Sequence, residues 1–197
     1  MPSYGGSFAE PYGRRGGRLT PKEIGLRRVV IRAFWIGVLV FSLFVAKAPI
    51  QLLYTVIRIW TEELRPPLLV PVKGVRASAL TDTWGAGRSG GRSHEGIDIF
   101  VPCGRPVVSA TEGVVWSAGE NNLGGKVVFV LGPGGSFHYY AHLSRFADIG
   151  RGDHIQGGDV IGYVGNTGNA EGTSCHLHYG IYLSGRALNP YPFLAPH

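Results

Sequence analysis

Cys175-His176-Leu177-His178-Tyr179 places two histidines one residue apart, just ahead of Ile181 and Tyr182. Such a run of aromatic and β-branched side chains reads as a β-strand. Strand side chains alternate faces, so His176 and His178 point the same way and offer two imidazoles side by side. That arrangement suits a metal site or a proton-transfer site. Taken alone, it equally suits two hydrogen-bonded surface histidines, and the rest of the chain has to decide.

Working outward from this strand, the pattern is β from about Val75 onward. Gly113-Val114-Val115-Trp116, Lys126 to Leu131, Phe137 to Tyr140 and Val160 to Val164 are short and rich in β-branched and aromatic residues. Turn clusters separate them: Gly119 to Gly125, Gly132-Pro133-Gly134-Gly135 and Gly150 to Asp153. Short strands without intervening helical periodicity predict an all-β domain, an antiparallel sheet or sandwich, over residues 76–197.

The N-terminal part is different. Residues 1–28 are basic, polar and Gly-rich, and read as a disordered tail. Thr20-Pro21-Lys22-Glu23 carries the cap, proline and glutamate of a helix start. Residues 29–60 form the anchor region. Within it, Ala33 to Ala46 runs fourteen residues without a charge, and adding Val29-Val30-Ile31 across Arg32 gives eighteen, near the lower limit for crossing a bilayer. Lys47 and Pro49 interrupt, and Gln51 to Trp60 is a second, more amphipathic stretch.

Ala46-Lys47-Ala48 resembles a small-x-small signal cleavage site, but Pro49 would follow the cut and the basic leader is long. An uncleaved, single-pass anchor is the preferred reading. Seven Lys/Arg precede the apolar core, which keeps the N-terminus cytoplasmic and exports the β domain to the periplasm or extracellular space. Residues 61–75, with Pro66, Pro67 and Pro71, read as a stiff spacer.

The net charge of +6 does not mark a nucleic-acid binder. Residues 1–75 hold eleven Lys/Arg against four Asp/Glu, whereas residues 76–197 hold eight against nine. The basic excess borders the apolar run, where a membrane explains it.

Upstream of the histidine pair lies Arg92-Ser93-His94-Glu95-Gly96-Ile97-Asp98-Ile99. On an extended strand His94 and Asp98 share a face, and both residue types bind zinc. By itself the pair reads as an ordinary hydrogen-bonded His–Asp couple. His142 closes the apolar strand Tyr139-Tyr140-Ala141-His142-Leu143, where a titratable side chain needs a reason.

In this order, HxGxD at His94 to Asp98, YAHL at Tyr140 to Leu143, and the long motif from Gly152-Asp153 through Gly165-Asn166-Thr167-Gly168-Asn169 to His176-Leu177-His178 resemble the LytM/lysostaphin-type zinc metallopeptidases. The resemblance covers Thr83 to Leu194. It implies an antiparallel β fold with a groove holding one zinc, and hydrolysis of peptide bonds in bacterial peptidoglycan. By position it makes His94, Asp98 and His178 the zinc ligands, and His142 and His176 the unligated catalytic histidines. No HExxH glutamate is present to act as base, so free imidazoles must handle protons and the developing oxyanion.

Cys175 stands where the family commonly has proline. Since the resemblance brings Asp98 and His178 to one metal, Cys103 and Cys175, each a few residues from a ligand, are expected to pair as a disulfide in an oxidising compartment. Two other classes fit less of the chain. An inactive relative that binds or activates other wall hydrolases should lack one of the five residues. A phosphocarrier of related architecture would need neither the anchor nor HxGxD. His138, His154 and His197 are expected to play no catalytic part. Trp84, Arg88 and Arg92 sit in a Gly-rich loop that could overhang the groove.

Overall fold

The structure is a computed structural model and describes residues 21–195. Most of the basic tail, with Thr20 and its capping signal, lies outside the described residues, as does His197. The chain divides into two compact units between Ala48 and Pro49.

Helix α1 (Pro21–Thr61) runs through Pro49 without a break, so the interruption expected there costs the helix a hydrogen bond but does not end it. Val29–Thr61 is long and apolar enough to cross a membrane by length and composition. In the first unit its apolar side chains are bare, Phe34 at 62% exposure and Phe44 at 76%.

The last turns of α1 belong to the second unit. Ile59 is fully buried, the ring of Trp60 covers Gly135, and Arg58 pairs with Glu62 and Glu112. The hydrogen bond from Arg58, opposed by burial and supported by one from His154, holds the Glu112 carboxyl below the usual carboxylate range.

The proline-rich segment that follows, expected as a free-standing spacer, holds no helix and is fastened down. Leu68 N–H donates to Phe193 O at 2.7 Å, Leu69 N–H to Ala110 O at 3.0 Å and Lys73 N–H to Pro106 O at 3.0 Å. Val72 pairs with Val107 and is 1% exposed, and Leu64, Leu68 and Val70 pack on the core. The segment is a strap laid across the β domain, because its leucines and valines gain more by burial than by standing in water.

Nine strands follow: β1 (Ile97–Phe100), β2 (Pro106–Val108), β3 (Gly113–Asn121), β4 (Gly125–Leu131), β5 (Phe137–Phe146), β6 (His154–Ile155), β7 (Val160–Val164), β8 (His176–Leu183) and β9 (Arg186–Leu188). A short helix, α2 (Tyr191–Leu194), closes the described chain. Every pairing is antiparallel and all nine strands join one sheet, in the order β1-β8-β5-β4-β3-β6, with β9 beside β8 and β2 beside β7. Of the two architectures expected, the sheet is the one found.

One face of the sheet is the core and the other is a groove. On β8, Leu177, Tyr179 and Ile181 are fully buried, while His176, His178 and Tyr182 alternate with them onto the groove face. On β5, His138 and Tyr140 are buried between Phe137, Tyr139 and Ala141.

Candidate active site

Asp98 and His178 face each other as register partners on β1 and β8. His94 is not on the strand with Asp98, contrary to the shared-strand expectation. It lies in the irregular chain before β1, which begins only at Ile97. Gly96 is the cause: a Cβ there would stand 2.6 Å from both His178 Cε1 and Tyr179 O. Only a glycine lets this segment press onto β8 and deliver His94.

The three side chains converge. His94 Nε2 lies 2.8 Å from His178 Nδ1, and Asp98 Oδ1 lies 3.1 Å from each of them. Among the described residues this trio is the group of His, Cys, Asp and Glu able to hold a metal. His94 Nδ1 sits 2.7 Å from Thr83 O. A carbonyl only accepts, so Nδ1 donates to it and Nε2 is the nitrogen left facing Asp98 and His178. A carboxylate oxygen and two imidazole nitrogens thus meet at one point. That donor set fits a cation, and two histidines with one carboxylate is an established zinc set.

Asp98 is tuned for this. Burial alone would raise its pKa, but hydrogen bonds from His178, His94 and Arg88 outweigh that and hold the carboxyl well below its ordinary range. Thr83 contributes twice, since its Oγ1 also accepts from Asp98 N–H at 3.0 Å.

The remaining two histidines stand apart from the trio but in the same cavity of about 650 Å³. The His142 ring centre is 4.9 Å from that of His176 and 5.9 Å from that of His178. Both again turn Nδ1 to a backbone carbonyl, His142 to Thr167 O at 2.9 Å and His176 to Ser174 O at 2.9 Å. Burial, helped by the neighbouring His176 and His178, pushes His142 down to about 4 against the pull of the Thr167 carbonyl. Burial likewise lowers His178, with Asp98 opposing.

His142 reaches the groove by an irregularity. Strict alternation would put it in the core with Tyr140. Instead the register of β5 against β4 shifts, with Tyr140 opposite Val128 and Leu143 opposite Lys126. Two β5 residues, Ala141 and His142, therefore face one on β4, and His142 adopts φ 63°. This bulge turns both side chains to the groove and returns Leu143 to the core at 0% exposure. It is braced by His142 N–H donating to Gly124 O at 2.8 Å and by Thr167 Oγ1 donating to Leu143 O at 2.8 Å.

The structure thus brings together all five expected residues. Cys103 and Cys175 form a disulfide with Cα atoms 5.3 Å apart, tying the turn after β1 to the start of β8. His138 stays in the core, bonded to Tyr179 Oη at 2.7 Å and Ser136 Oγ at 3.0 Å. His154 pairs with Glu112 at 2.7 Å on the far side of β3. Of the overhanging loop, Arg88 enters the site by pairing with the outer oxygen of Asp98. The orienting carbonyls of Thr83, Thr167 and Ser174 escaped the sequence reading, because every residue has a carbonyl and nothing in the side chain marks which is used.

A sheet-lined groove with a convergent metal-ligand trio and two free imidazoles has the equipment of a metal-assisted hydrolase. The chain belongs to peptidase family M23, whose model matches residues 92–190. It is 43% identical over 124 residues to the L-Ala--D-Glu endopeptidase of Bacillus subtilis, covering 57% of this chain and 38% of that protein. It is 36% identical over 123 residues to the DD-carboxypeptidase/endopeptidase Mpg of Neisseria meningitidis, covering 62% of this chain and 26% of that protein. The chain therefore spans well under half the length of either relative. Among solved structures it resembles the lysostaphin catalytic domain from Staphylococcus simulans, with TM-score 0.54 and 29% identity over 60% of this chain and 94% of that one. Csd3 of Helicobacter pylori gives TM-score 0.55 and 31% identity over 68% of this chain and 34% of that one.

Proposed function

We propose that the protein is a zinc-dependent endopeptidase that hydrolyses peptide bonds of peptidoglycan, in cross-links or stem peptides, from a membrane-anchored position outside the cytoplasm. The observation that carries this reading is the convergence of His94 Nε2, Asp98 Oδ1 and His178 Nδ1 beside His142 and His176 in one groove of an M23 domain. His94, Asp98 and His178 would hold the zinc. When bound, zinc supplies Lewis acidity that polarises a carbonyl and acidifies water.

The chain's own residues do the rest. His142 is neutral at physiological pH and presents an unprotonated Nε2, so it can take a proton from attacking water. The proton His142 has taken can then pass to the leaving amine, and His176, fixed by Ser174 O, can steady the oxyanion when its Nε2 is protonated as well. Thr83 and Arg88 hold Asp98 and His94 in place. The groove floor of paired strands leaves room above it for an extended peptide. An inactive binding module should have lost one of these five groups, and none is missing.

The anchor reading rests on α1. With Pro49–Thr61 assigned to the β unit, Val29 to Ala48 leaves about 20 residues for the bilayer, or roughly 30 Å of helix. Export follows from the substrate and from the basic residues ahead of the apolar run.

The test uses the full chain in detergent, with metal analysis and digestion of purified cell wall. One zinc per chain and release of peptides are expected, and the fragment masses name the bond. His178→Ala should lose both the metal and the activity. His142→Ala should keep the metal and lose about 100- to 10,000-fold in kcat. A chain that holds zinc yet releases nothing from any cell wall would overturn the assignment.

A further inference from the structure

The groove floor continues past the histidines. On β8, Gly180 and Tyr182 follow His178 on the same face. On β5, Tyr139 and Phe137 lie beside them, in register with Gly180 and Tyr182. On β4, Phe129 stands opposite Tyr139, with ring centres 4.6 Å apart. Trp116, at the irregularity of β3, ends the row edge-on to Phe137 at 5.6 Å. Trp116, Ser117, Phe129, Phe137 and Tyr182 line a hollow of about 420 Å³.

Two features make this hollow part of the groove rather than a stray apolar patch. Tyr182 lines both cavities. Its ring also lies back over Gly180, where an added Cβ would come within 3.2 Å of Tyr182 Cε2, so the shelf leans toward His178. A ligand seated on the shelf is then contiguous with one lying over the histidines.

The chemistry of the shelf is selective. The backbones of β5 and β8 are bonded to each other along this stretch, so the floor presents aromatic carbon and few donors or acceptors. Trp116 is 48% exposed, and the Arg151 guanidinium lies over its ring at 5.3 Å, placing hydrogen-bond donors beside the hollow. An aromatic hollow with a guanidinium beside it matches a pyranose ring, whose C–H bonds can lie against aromatic carbon while its hydroxyl and amide groups lie around the edge.

We propose that the aromatic shelf of Trp116, Phe129, Phe137 and Tyr182 is a subsite for the sugar rings of an N-acetylated glycan, seating the saccharide part of a substrate whose peptide part lies over the histidines. This rests on the peptidase reading for the joint substrate, but sugar binding is measurable without catalysis.

The experiment reconstitutes the full chain in phosphatidylglycerol nanodiscs and adds a peptide-free N-acetylglucosamine tetrasaccharide. Saturation-transfer NMR, irradiating aromatic protons, should show transfer to the sugar from the parent chain, most of it lost in Trp116→Ala and restored in Trp116→Phe. In parallel, Trp116→Ala should raise KM about three- to tenfold on a sugar-bearing substrate and leave kcat and KM on the matching sugar-free peptide unchanged. Absence of transfer to the sugar overturns the proposal. So does transfer to lipid acyl chains instead, which would make the shelf a membrane contact, or an equal loss on both substrates, which would make it a peptide subsite. If the parent cuts neither substrate, the peptidase reading fails, while the sugar measurement still decides the shelf.

Discussion

The six histidines among the described residues differ in what their ring nitrogens face, and that sorts them more sharply than their positions in the chain. His94, His142 and His176 each give Nδ1 to a backbone carbonyl and keep Nε2 for chemistry. His138 has both nitrogens occupied, by Tyr179 and Ser136, at 0% exposure. Burial pushes His138 down to about 3, against 6.5 when solvated. As pH falls below about 6.5 the unfolded chain takes up a proton that the folded chain refuses, so stability drops until about pH 3 and then levels off. At pH 5 the loss relative to pH 7 is about 2 kcal/mol from this residue. Comparing denaturant unfolding of the parent and His138→Gln at the two pH values should show a shallower decline in the variant. An equal decline would mean that His138 is not held neutral. The sequence reading gave His138 no catalytic part; its burial was not legible, since Tyr179 reaches it from β8, although Ser136 comes from the turn just before β5.

Strands explain what the sequence reveals about the groove and what it hides. His176 and His178 could be placed on one face because β8 is regular and its parity is simple. His142 could not, because a bulge is a property of two strands in register and β5 shows no glycine or proline to announce it. His94 was assigned to a strand that starts later, since the need for Gly96 appears only once β8 lies against it. The elements bearing Asp98 and His178 are locked by the Cys103–Cys175 disulfide, which closes a sequence separation of 72 residues. Replacing both cysteines with serine should lower stability by about 2–4 kcal/mol, read from chemical denaturation, and should weaken zinc retention in a chelator competition. Unchanged stability would show that the sheet alone fixes the two strands.

For the whole molecule, the boundary between the two compact units lies earlier than composition suggests. Prolines mark 61–75 as extended, but only the folded core shows that Leu64, Leu68, Val70 and Val72 fill it. A fragment beginning near Val75 leaves those sites bare, whereas one beginning at Pro49 keeps strap and helix end. Thermal unfolding should place the longer fragment several degrees or more above the shorter, with the shorter one prone to aggregate; equal melting temperatures would make the strap dispensable. The strap also has a mechanical meaning. It joins the end of α1 to α2 through Leu68 and Phe193, and to β2 through Val72 and Val107. A pull on the helix would act on those bonds, which lie between it and β1 along the chain. In the membrane-anchored peptidase proposed above, the strap would yield first under tension and act as a shock absorber in front of the groove.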